Sequence, residues 1–472
     1  MPAAPESRSL TERVKARARA LGFAGCGAAA AGAALSHAFY GDWLAAGHAG
    51  AMQYLERHAP LKADPRALLP GARSLLLTAF NYRPPGQPLP PGLRGRVARY
   101  AWGADYHDVL HARLERLAAA VAEEAGHPVR ARPFVDTAPV LEREWAARAA
   151  LGWVGKNANL IHWQEGSWLF LGGLVLDLPL GPHGLEPDGM APRPSDTAAD
   201  PAGDPAGGAA ANAASDAANA ASNAGSAAGS AAAARDSAAG NERAWLRAQE
   251  SCGDCRICLD ACPTGAIVAD KTVDARRCIA YLTIELKGPV PRDLRPQLGS
   301  WVFGCDVCQE VCPWNRAAPE TREPAFAGTV ERAWPELTEL LTLDEAGFRA
   351  RFGTSALRRT RRRGLARNAA LALGNRLADT EQGGAPVAPS ERKAAAAALV
   401  TALADPEPVV RGAAAWAIAQ SRLAEARDAL SAALLREADA SVREELDDAL
   451  ARLGALGKAQ AASRPSDPPA WP

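Results

Sequence analysis

The sequence contains no uninterrupted apolar run of the roughly 20 residues that a membrane-spanning helix needs. The strongest candidate, residues 168–180, is interrupted by Gly172, Asp177 and Pro179. The first 20 residues are basic but hold no adjacent pair of arginines, and the Ala/Gly-rich stretch that follows has few strongly apolar side chains. This pattern does not match an export signal, so we expect a cytoplasmic protein whose chain opens with an amphipathic helix.

The chain also lacks an excess of charge of either sign. Its 472 residues include 53 basic and 53 acidic side chains, so net charge indicates no class of partner. Apolar residues make up 48% of the chain, which is enough for substantial cores in two or three domains. Large apolar side chains are almost absent from residues 187–240, which are rich in Ala, Gly, Ser, Asn and Asp. Because such a segment cannot offset its ordering entropy by burial, we predict a disordered insertion there, and a second disordered segment at 456–472.

Cysteine is almost absent outside one short region, which holds eight of the nine. The first run reads C-x2-C-x2-C-x3-C-P, the pattern of two-cluster ferredoxins, in which the fourth cysteine ligates the other cluster. The second run is the same pattern with its first cysteine displaced upstream to Cys278. Crosswise sharing predicts two 4Fe-4S clusters, one held by Cys252, Cys255, Cys258 and Cys312 and the other by Cys262, Cys278, Cys305 and Cys308.

Zinc and disulfides explain this spacing less well. Zinc sites usually use paired C-x2-C knuckles, which leaves the third cysteine and the two Cys-Pro endings without a reason. Disulfides need an oxidising compartment. The remaining thiol, Cys26, is most simply a small buried apolar group.

The pattern of apolar residues predicts an α+β fold in several parts. Residues 1–186 are expected to form an α/β domain, in which strands at 74–80 and 168–176 alternate with helices at 106–124 and 140–151. Residues 241–320 form the two-cluster, ferredoxin-like module. Residues 321–455 are helical and repetitive, since the segment from Leu365 resembles the segment from Val410; this indicates stacked helix pairs of the HEAT type.

Asp136 has two interpretations. It follows an apolar strand end and precedes Pro139, so it could cap a helix, which is the commoner role of an aspartate in this position. It could instead be a functional carboxyl at a strand-to-helix junction, where α/β folds place ligands. Asp105, Tyr106 and His107 raise the question of a metal ligand, but they also fit the start of the 106–124 helix with Asp105 as its cap.

Five arginines lie within six positions just before the first repeat: Arg358, Arg359, Arg361, Arg362 and Arg363. Basic runs are usually solvated. Beside a helical solenoid, this run favours a nucleic-acid contact.

Several long stretches resemble the epoxyqueuosine reductase family. They are 52–57 (MQYLER), 98–107 (ARYAWGADYH), 135–139 (VDTAP), 152–157 (GWVGKN), the eight cysteines, 281–288 (YLTIELKG) and 304–309 (GCDVCQ). The resemblance covers nearly the whole chain apart from the insertion. It implies a nitroreductase-like domain that binds base-off cob(II)alamin, two four-iron clusters beside it, and a HEAT-like domain that helps to hold tRNA. The family shares its catalytic core with reductive dehalogenases.

The resemblance also implies roles for individual residues. Asp136 becomes the proton donor over the cobalt, which reverses the local preference for a cap. The corrinoid contacts would be Asp136, Lys156, Leu160, Leu171 and Leu174, with Arg57 and Arg99 beside them. The tRNA contacts would be Lys287, Arg361, Arg362 and Arg363. We expect no histidine on cobalt, because Leu110 stands where the Asp-x-His-x-x-Gly signature of histidine-ligated corrinoid domains has glycine.

These expectations describe a monomeric reductase of epoxyqueuosine that draws on an unidentified low-potential electron donor. Two rivals remain open. A reductive dehalogenase would leave the C-terminal repeats unexplained, and a non-catalytic electron carrier would leave the Asp136 region unused.

Overall fold

The structure is a computed structural model, and it describes residues 9–181, 250–381 and 386–462. The predicted insertion at 187–240 lies outside the described residues. Ten strands are present among them, in chain order β1 (Gly25–Ala30), β2 (Ser74–Asn81), β3 (Arg96–Val97), β4 (Ala131–Val135), β5 (Trp153–Val154), β6 (Leu160–Ile161), β7 (Leu169–Leu176), β8 (Ile267–Ala269), β9 (Thr272–Val273) and β10 (Trp301–Phe303).

The helices of the first two parts are short except for one. They are α1 (Leu10–Ala20), α2 (His37–Ala45), α3 (Gln53–Lys62), α4 (Tyr106–Ala125), α5 (Glu142–Arg148), α6 (Ile257–Asp260), α7 (Ile279–Ile284) and α8 (Val307–Glu310). The C-terminal part contains α9 (Val330–Ala333), α10 (Leu337–Thr342), α11 (Glu345–Phe352), α12 (Arg361–Glu381), α13 (Pro389–Ala402), α14 (Pro408–Gln420), α15 (Arg427–Arg436) and α16 (Ala440–Ala462). Among the described residues, none of these helices combines the length and the apolar character that crossing a membrane requires.

A four-stranded antiparallel sheet of order β1-β2-β7-β4 forms the centre of the first domain. Every residue of β2 is buried, because both faces of the sheet are covered. The predicted strands at 74–80 and 168–176 and the helix at 106–124 are confirmed. An antiparallel sheet with helices packed on it is an α+β arrangement.

The two faces of this sheet belong to different apolar cores. On one face α1 and α4 pack against Leu76, Leu174 and Leu176. On the other face α5 packs against Leu75, Leu77 and their neighbours, with Leu171 at the edge. Leu171 and Leu174 therefore lie on opposite faces, because side chains alternate along a strand.

Asp136 is not a helix cap. It lies in the turn directly after β4, whereas α5 begins only at Glu142 and is preceded by Leu141. The cap interpretation of Asp136 is therefore wrong. Asp105 is the true cap of this region, since its carboxylate accepts a hydrogen bond from the His107 N–H at the start of α4.

The catalytic domain and the cluster module, which the sequence predicts as separate parts, share one apolar core. Strand β10 of the cluster module pairs in parallel with β3, with Trp301 opposite Arg96 and Phe303 opposite Val97. Side chains of 93–102 pack in one cluster with those of α7 and of the C-terminal helices. Among the described residues neither β3 nor β10 pairs with any other strand, so this small sheet belongs equally to both parts.

The C-terminal helices form two layers. Helix α14 packs between α12 and α16, while α13 and α15 lie beside them. Gly374 of α12 allows the close approach, because a Cβ at this position would lie 2.8 Å from the Ala417 Cα of α14. Helix α16 continues to Ala462, so the segment predicted as disordered from 456 begins as helix; residues 463–472 lie outside the described residues.

Candidate active site and cluster module

The eight cysteines of the motif region lie in neighbouring short helices and turns, and among the described residues no three of them form a ready-made metal site. Helix α6 carries Cys258 and helix α8 carries Cys308, and these two short helices pack against each other. Burial, together with the charges of Cys252, Cys258 and Cys255, raises the pKa of Cys312 to about 11. Cys312 thus interacts with Cys252, Cys255 and Cys258, the other members of the first predicted ligand set, although it is distant from them in sequence.

The second predicted ligand set is Cys262, Cys278, Cys305 and Cys308. Burial raises the pKa of Cys305, and the charges of Cys278 and Cys262 add to this effect. Burial also raises the pKa of Cys308, again with a contribution from Cys278 and Cys305. Thiolates whose charges interact in this way destabilise one another, whereas bound iron would compensate their charge. The donor set fits the four-cysteine ligation of a four-iron cluster.

A buried hydrogen-bond donor next to Cys312 and Cys252 supports the binding of a cluster by these cysteines. The indole Nε1 of Trp153 is buried and has no hydrogen-bond partner among the described residues. Trp153 packs with Cys312 and Cys252. A buried N–H usually finds an acceptor, and the sulfides of an iron–sulfur cluster accept such bonds.

Asp136 lies at the centre of a polar cluster at the ends of β4 and α4. Its Oδ1 is 3.2 Å from the His107 Nε2, and its Oδ2 accepts a short hydrogen bond from the Tyr106 hydroxyl. The other ring nitrogen, Nδ1 of His107, is 2.7 Å from the Asp105 Oδ1. Arg358 Nη2 lies 3.0 Å from the second oxygen of Asp105. The sequence points to Asp136 as a functional residue, but it gives no reason to join His107 to Asp136 or to place Arg358 behind Asp105.

These contacts determine the charges of the cluster. Burial favours a neutral Asp136, but the hydrogen bonds from His107 and Tyr106 outweigh it and hold the pKa of Asp136 below its usual range. Burial disfavours protonation of His107, but its hydrogen bonds to Asp105 and Asp136 prevail and raise its pKa to about 9. At neutral pH the site therefore contains an ionised Asp136 beside a protonated His107.

The arginine run borders this site and does not form a separate surface. Arg359 bonds Glu285 and lies 3.4 Å from the Tyr54 hydroxyl, and its charge also contributes to the low pKa of Asp136. An open cleft begins here, lined by Tyr54, Glu285, Lys287, Arg359, Arg361 and Arg363. Three predicted tRNA contacts, Lys287, Arg361 and Arg363, therefore lie together near Asp136.

Arg362 does not share this surface. It is buried and forms a two-pronged ion pair with Asp405, so its guanidinium faces the interior of the helical layers. The prediction that it contacts tRNA is wrong for the described structure. Helical geometry explains this, because successive residues point about 100° apart and a run of arginines cannot all face one ligand.

The predicted corrinoid contacts divide into those at the site and those elsewhere. Leu160 and Leu171 belong to the sheet face whose partly buried edge also includes Ala138, two residues after Asp136. Lys156 Nζ lies 3.4 Å from the Asp270 Oδ2 of the cluster module. Leu174 is fully buried on the opposite face.

The two arginines predicted to contact the corrinoid, Arg57 and Arg99, lie in different parts of the structure. Arg57 is exposed on α3, the helix that also carries Tyr54. Arg99 extends towards the cluster module, where its backbone N–H donates to Asp306 and its guanidinium pairs with Glu310. Arg99 therefore ties the catalytic domain to the segment between Cys305 and Cys312.

Comparisons with known proteins agree with this arrangement. Residues 62–137 match the family described as epoxyqueuosine reductase QueG, DUF1730, and residues 251–315 match the 4Fe-4S double cluster binding domain. An epoxyqueuosine reductase of Xanthomonas campestris is 35% identical over 89% of this chain and 99% of its own. One of Cyclobacterium marinum is 36% identical over 76% of this chain and 95% of its own.

Solved structures show the same likeness. A crystal structure of epoxyqueuosine reductase with an epoxyqueuosine-modified tRNA-Tyr stem loop is similar with a TM-score of 0.71 and 26% identity, over 94% of this chain and 99% of that one. The Bacillus subtilis enzyme, in a form whose aspartate-bearing catalytic loop is swung out of the active site, gives the same TM-score, identity and coverage.

Proposed function

Since this chain belongs to the epoxyqueuosine reductase family, we propose that it reduces epoxyqueuosine to queuosine at the wobble position of tRNA, the last step in making that nucleoside. The observation that carries the proposal is the joint presence of an ionisable cluster around Asp136, an eight-cysteine module that matches a 4Fe-4S double cluster domain, and a basic cleft that begins at Arg359. A protein that only carried electrons would need neither the ionisable cluster around Asp136 nor the basic cleft. The reaction occurs in the cytoplasm, where tRNA is modified.

The reaction defines what the chain must supply. An epoxide on a cyclopentane ring becomes an alkene, so two electrons and two protons enter and one water leaves. The electrons come from a low-potential donor and pass singly through two 4Fe-4S clusters, one on Cys252, Cys255, Cys258 and Cys312, the other on Cys262, Cys278, Cys305 and Cys308. The epoxide oxygen leaves well only when it is protonated, and Asp136 would deliver that proton.

Cobalamin is the proposed partner of the clusters. The half-buried apolar edge formed by Ala138, Leu141, Leu169 and Leu171 suits a flat macrocycle, and it lies beside Asp136. Lys156, Leu160 and Leu171 would hold the ring, while the buried Leu174 is not part of this set. When bound, cob(II)alamin would supply a low-valent cobalt that reacts with the substrate carbon.

His107 is not proposed as a cobalt ligand. Both of its ring nitrogens already face carboxylates, Asp105 on one side and Asp136 on the other. Electron paramagnetic resonance of the protein with cob(II)alamin tests this, because a nitrogen ligand on cobalt would give a hyperfine splitting that we expect to be absent.

The remaining parts would hold tRNA. Lys287, Arg361 and Arg363 line one cleft and would contact phosphates, since lysine and arginine bind them through charge-assisted hydrogen bonds. The layered C-terminal helices, which we interpret as HEAT-like, would present these residues beside a nitroreductase-like catalytic domain, in a protein that acts as a monomer.

The proposed activity has a direct test. The protein with reconstituted clusters is incubated with cobalamin, a strong reductant and tRNA carrying epoxyqueuosine, and the digested nucleosides are analysed by mass spectrometry. We expect queuosine to appear with the wild-type chain and to be nearly absent with Asp136→Asn. Unchanged epoxyqueuosine with a fully cluster-loaded wild-type chain would refute the proposal.

A further inference from the structure

The proposed role of Asp136 as a proton donor needs a protonated carboxyl, whereas its surroundings favour the ionised carboxylate. Its two oxygens receive hydrogen bonds from His107 and Tyr106, and hydrogen bonds to a carboxylate favour the ionised form. This agrees with its lowered pKa. An ionised Asp136 cannot begin the reaction with a proton of its own, so the proton has to be stored on a neighbour.

We infer that His107 stores this proton, that Asp136 passes it to the substrate, and that Asp105, fixed by Arg358, holds His107 in position. This inference rests on the proposed function for the identity of the acceptor. It adds three residues to the reaction that lie outside the loop of Asp136.

Between two ionised carboxylates, the contacts of His107 favour a doubly protonated ring. Nδ1 lies 2.7 Å from a carboxylate oxygen of Asp105, and Nε2 lies 3.2 Å from one of Asp136. An ionised carboxylate only accepts hydrogen bonds, so while Asp105 and Asp136 are both ionised, both ring nitrogens carry hydrogen. The imidazolium is the only form of histidine with two N–H donors.

Asp105 is built to hold this geometry. Its side chain is 2% exposed, and its backbone begins α4, where the carboxylate also accepts the His107 N–H. The second carboxylate oxygen pairs with Arg358 at 3.0 Å. A carboxylate behind an imidazole fixes the orientation of the ring and stabilises its charged form, while an arginine behind the carboxylate keeps the latter ionised.

The surroundings of His107 are mostly charged or titratable. They are Asp105, Asp136, the stacked Tyr106, and, one contact further away, Arg358, Arg359, Tyr54 and Tyr100. Arg359 opposes the charge on His107, but it is itself paired with Glu285. The two carboxylates in direct contact therefore dominate, in agreement with the raised pKa of His107.

The proton transfer balances. The N–H bond at His107 Nε2 breaks and an O–H bond forms at Asp136 Oδ1, and then that O–H bond breaks as the epoxide oxygen gains the proton. His107 is left neutral, and its side chain, 23% exposed, can take a second proton from water. This refilling is needed because the leaving oxygen takes two protons in all. The two electrons come from the low-potential donor and do not pass through this relay.

The first test measures where His107 titrates. Histidine ring signals of the full-length protein with its clusters are followed by NMR as a function of pH, with His107 assigned from His107→Gln. We expect a midpoint near 9 in the wild type. In Asp105→Asn the midpoint should fall towards about 6.5, the ordinary value for histidine. A wild-type midpoint at or below this value would overturn the inference.

The second test measures the reaction. His107→Gln should lower single-turnover reduction of the epoxide by roughly 10²–10³ with unchanged affinity for tRNA, because only the proton supply is lost. Asp105→Asn should move the alkaline limb of the pH–rate profile to lower pH. The double variant His107→Gln/Asp136→Asn should be little slower than His107→Gln alone, since the two residues act as a unit. His111→Gln, an exposed position further along α4, is the matched control and should change neither readout.

The two kinds of failure can be told apart. If the wild-type chain does not reduce epoxyqueuosine, the proposed function fails, whatever His107 does. If the wild type is active but His107→Gln retains full rate, or if Asp105→Asn leaves the pH profile unchanged, the proposed function stands and the relay is refuted.

Discussion

Arg362 donates two hydrogen bonds to Asp405, with N–O distances of 2.9 and 2.7 Å, in the middle of a run of arginines that otherwise faces solvent or the cleft. Both side chains of the pair are nearly buried. The run therefore combines two roles, since Arg362 fastens α12 to the connection between α13 and α14 while Arg361 and Arg363 remain beside the cleft.

We predict that these arginines separate into binding and structural residues. Arg361→Ala and Lys287→Ala should each weaken tRNA binding and flatten the dependence of log affinity on log salt, by about 0.7–0.9 per phosphate contact. Arg362→Ala should leave that slope unchanged and lower stability by about 3 kcal/mol, because Asp405 loses its partner. Binding titrations at several salt concentrations and urea unfolding measure both. A reduced slope in Arg362→Ala alone would contradict the division.

We predict about eight irons per chain, four bound by each of the two predicted sets of four cysteines. Cys312→Ser should remove one cluster and Cys278→Ser the other, although the second run contains both Cys312 and the ligands Cys305 and Cys308. Cys26→Ser is the control and should retain all the iron, because burial raises the pKa of Cys26 to about 12 and the thiol stays neutral. Anaerobic iron and sulfide analysis decides this. Loss of the same spectroscopic signal in Cys312→Ser and Cys278→Ser would refute the crosswise grouping.

We predict that Asp136→Asn and Asp136→Ala fold equally well and are equally inactive. Asp136 is in a turn rather than at a helix start, so Ala should not add the roughly 1 kcal/mol that losing a cap costs. Both variants should lower turnover by roughly 10²–10⁴ with clusters intact. Asp105→Ala is the comparison, since it removes the real cap of α4. Thermal unfolding together with product analysis gives the result, and near-wild-type turnover in either Asp136 variant would exclude it as the donor.

We predict that lowering the pH weakens the contact between the last helix, α16, and the cluster module, and so lowers the free energy of unfolding. Glu445 of α16 bonds the Arg295 guanidinium at 2.9 and 2.7 Å. Burial raises the pKa of Glu445, but the hydrogen bonds from Arg295 and Arg292 outweigh it and lower the pKa overall. A carboxyl with a lowered folded-state pKa stabilises the fold fully above its unfolded value of about 4.3, and this contribution is lost as the pH falls through the folded value.

The matched variant is Glu445→Gln, which keeps the shape but not the charge. It should be less stable than wild type at pH 7, and the difference should shrink as the pH drops below about 4.3. Urea unfolding at several pH values measures this. A difference that is the same at pH 7 and at pH 3 would show that the ion pair contributes nothing.

The sequence by itself determined whatever depends on neighbours along the chain. The cysteine spacings, the strands around Leu76 and Val175, and Asp105 as the cap of α4 follow from local patterns, because ligand spacing, strand alternation and capping act over a few residues. Long matching stretches likewise identified the family from the sequence.

Tertiary structure alone decided what depends on residues far apart. His107 looks like an ordinary helix-start histidine until β4 brings Asp136 to one ring nitrogen and the arginine run brings Arg358 to the carboxylate behind the other. Whether an arginine faces tRNA or the interior, as with Arg361 and Arg362, depends on an aspartate more than forty positions away. Charge and protonation in this site are set by burial and by partners across the fold, and neither is encoded in a local pattern.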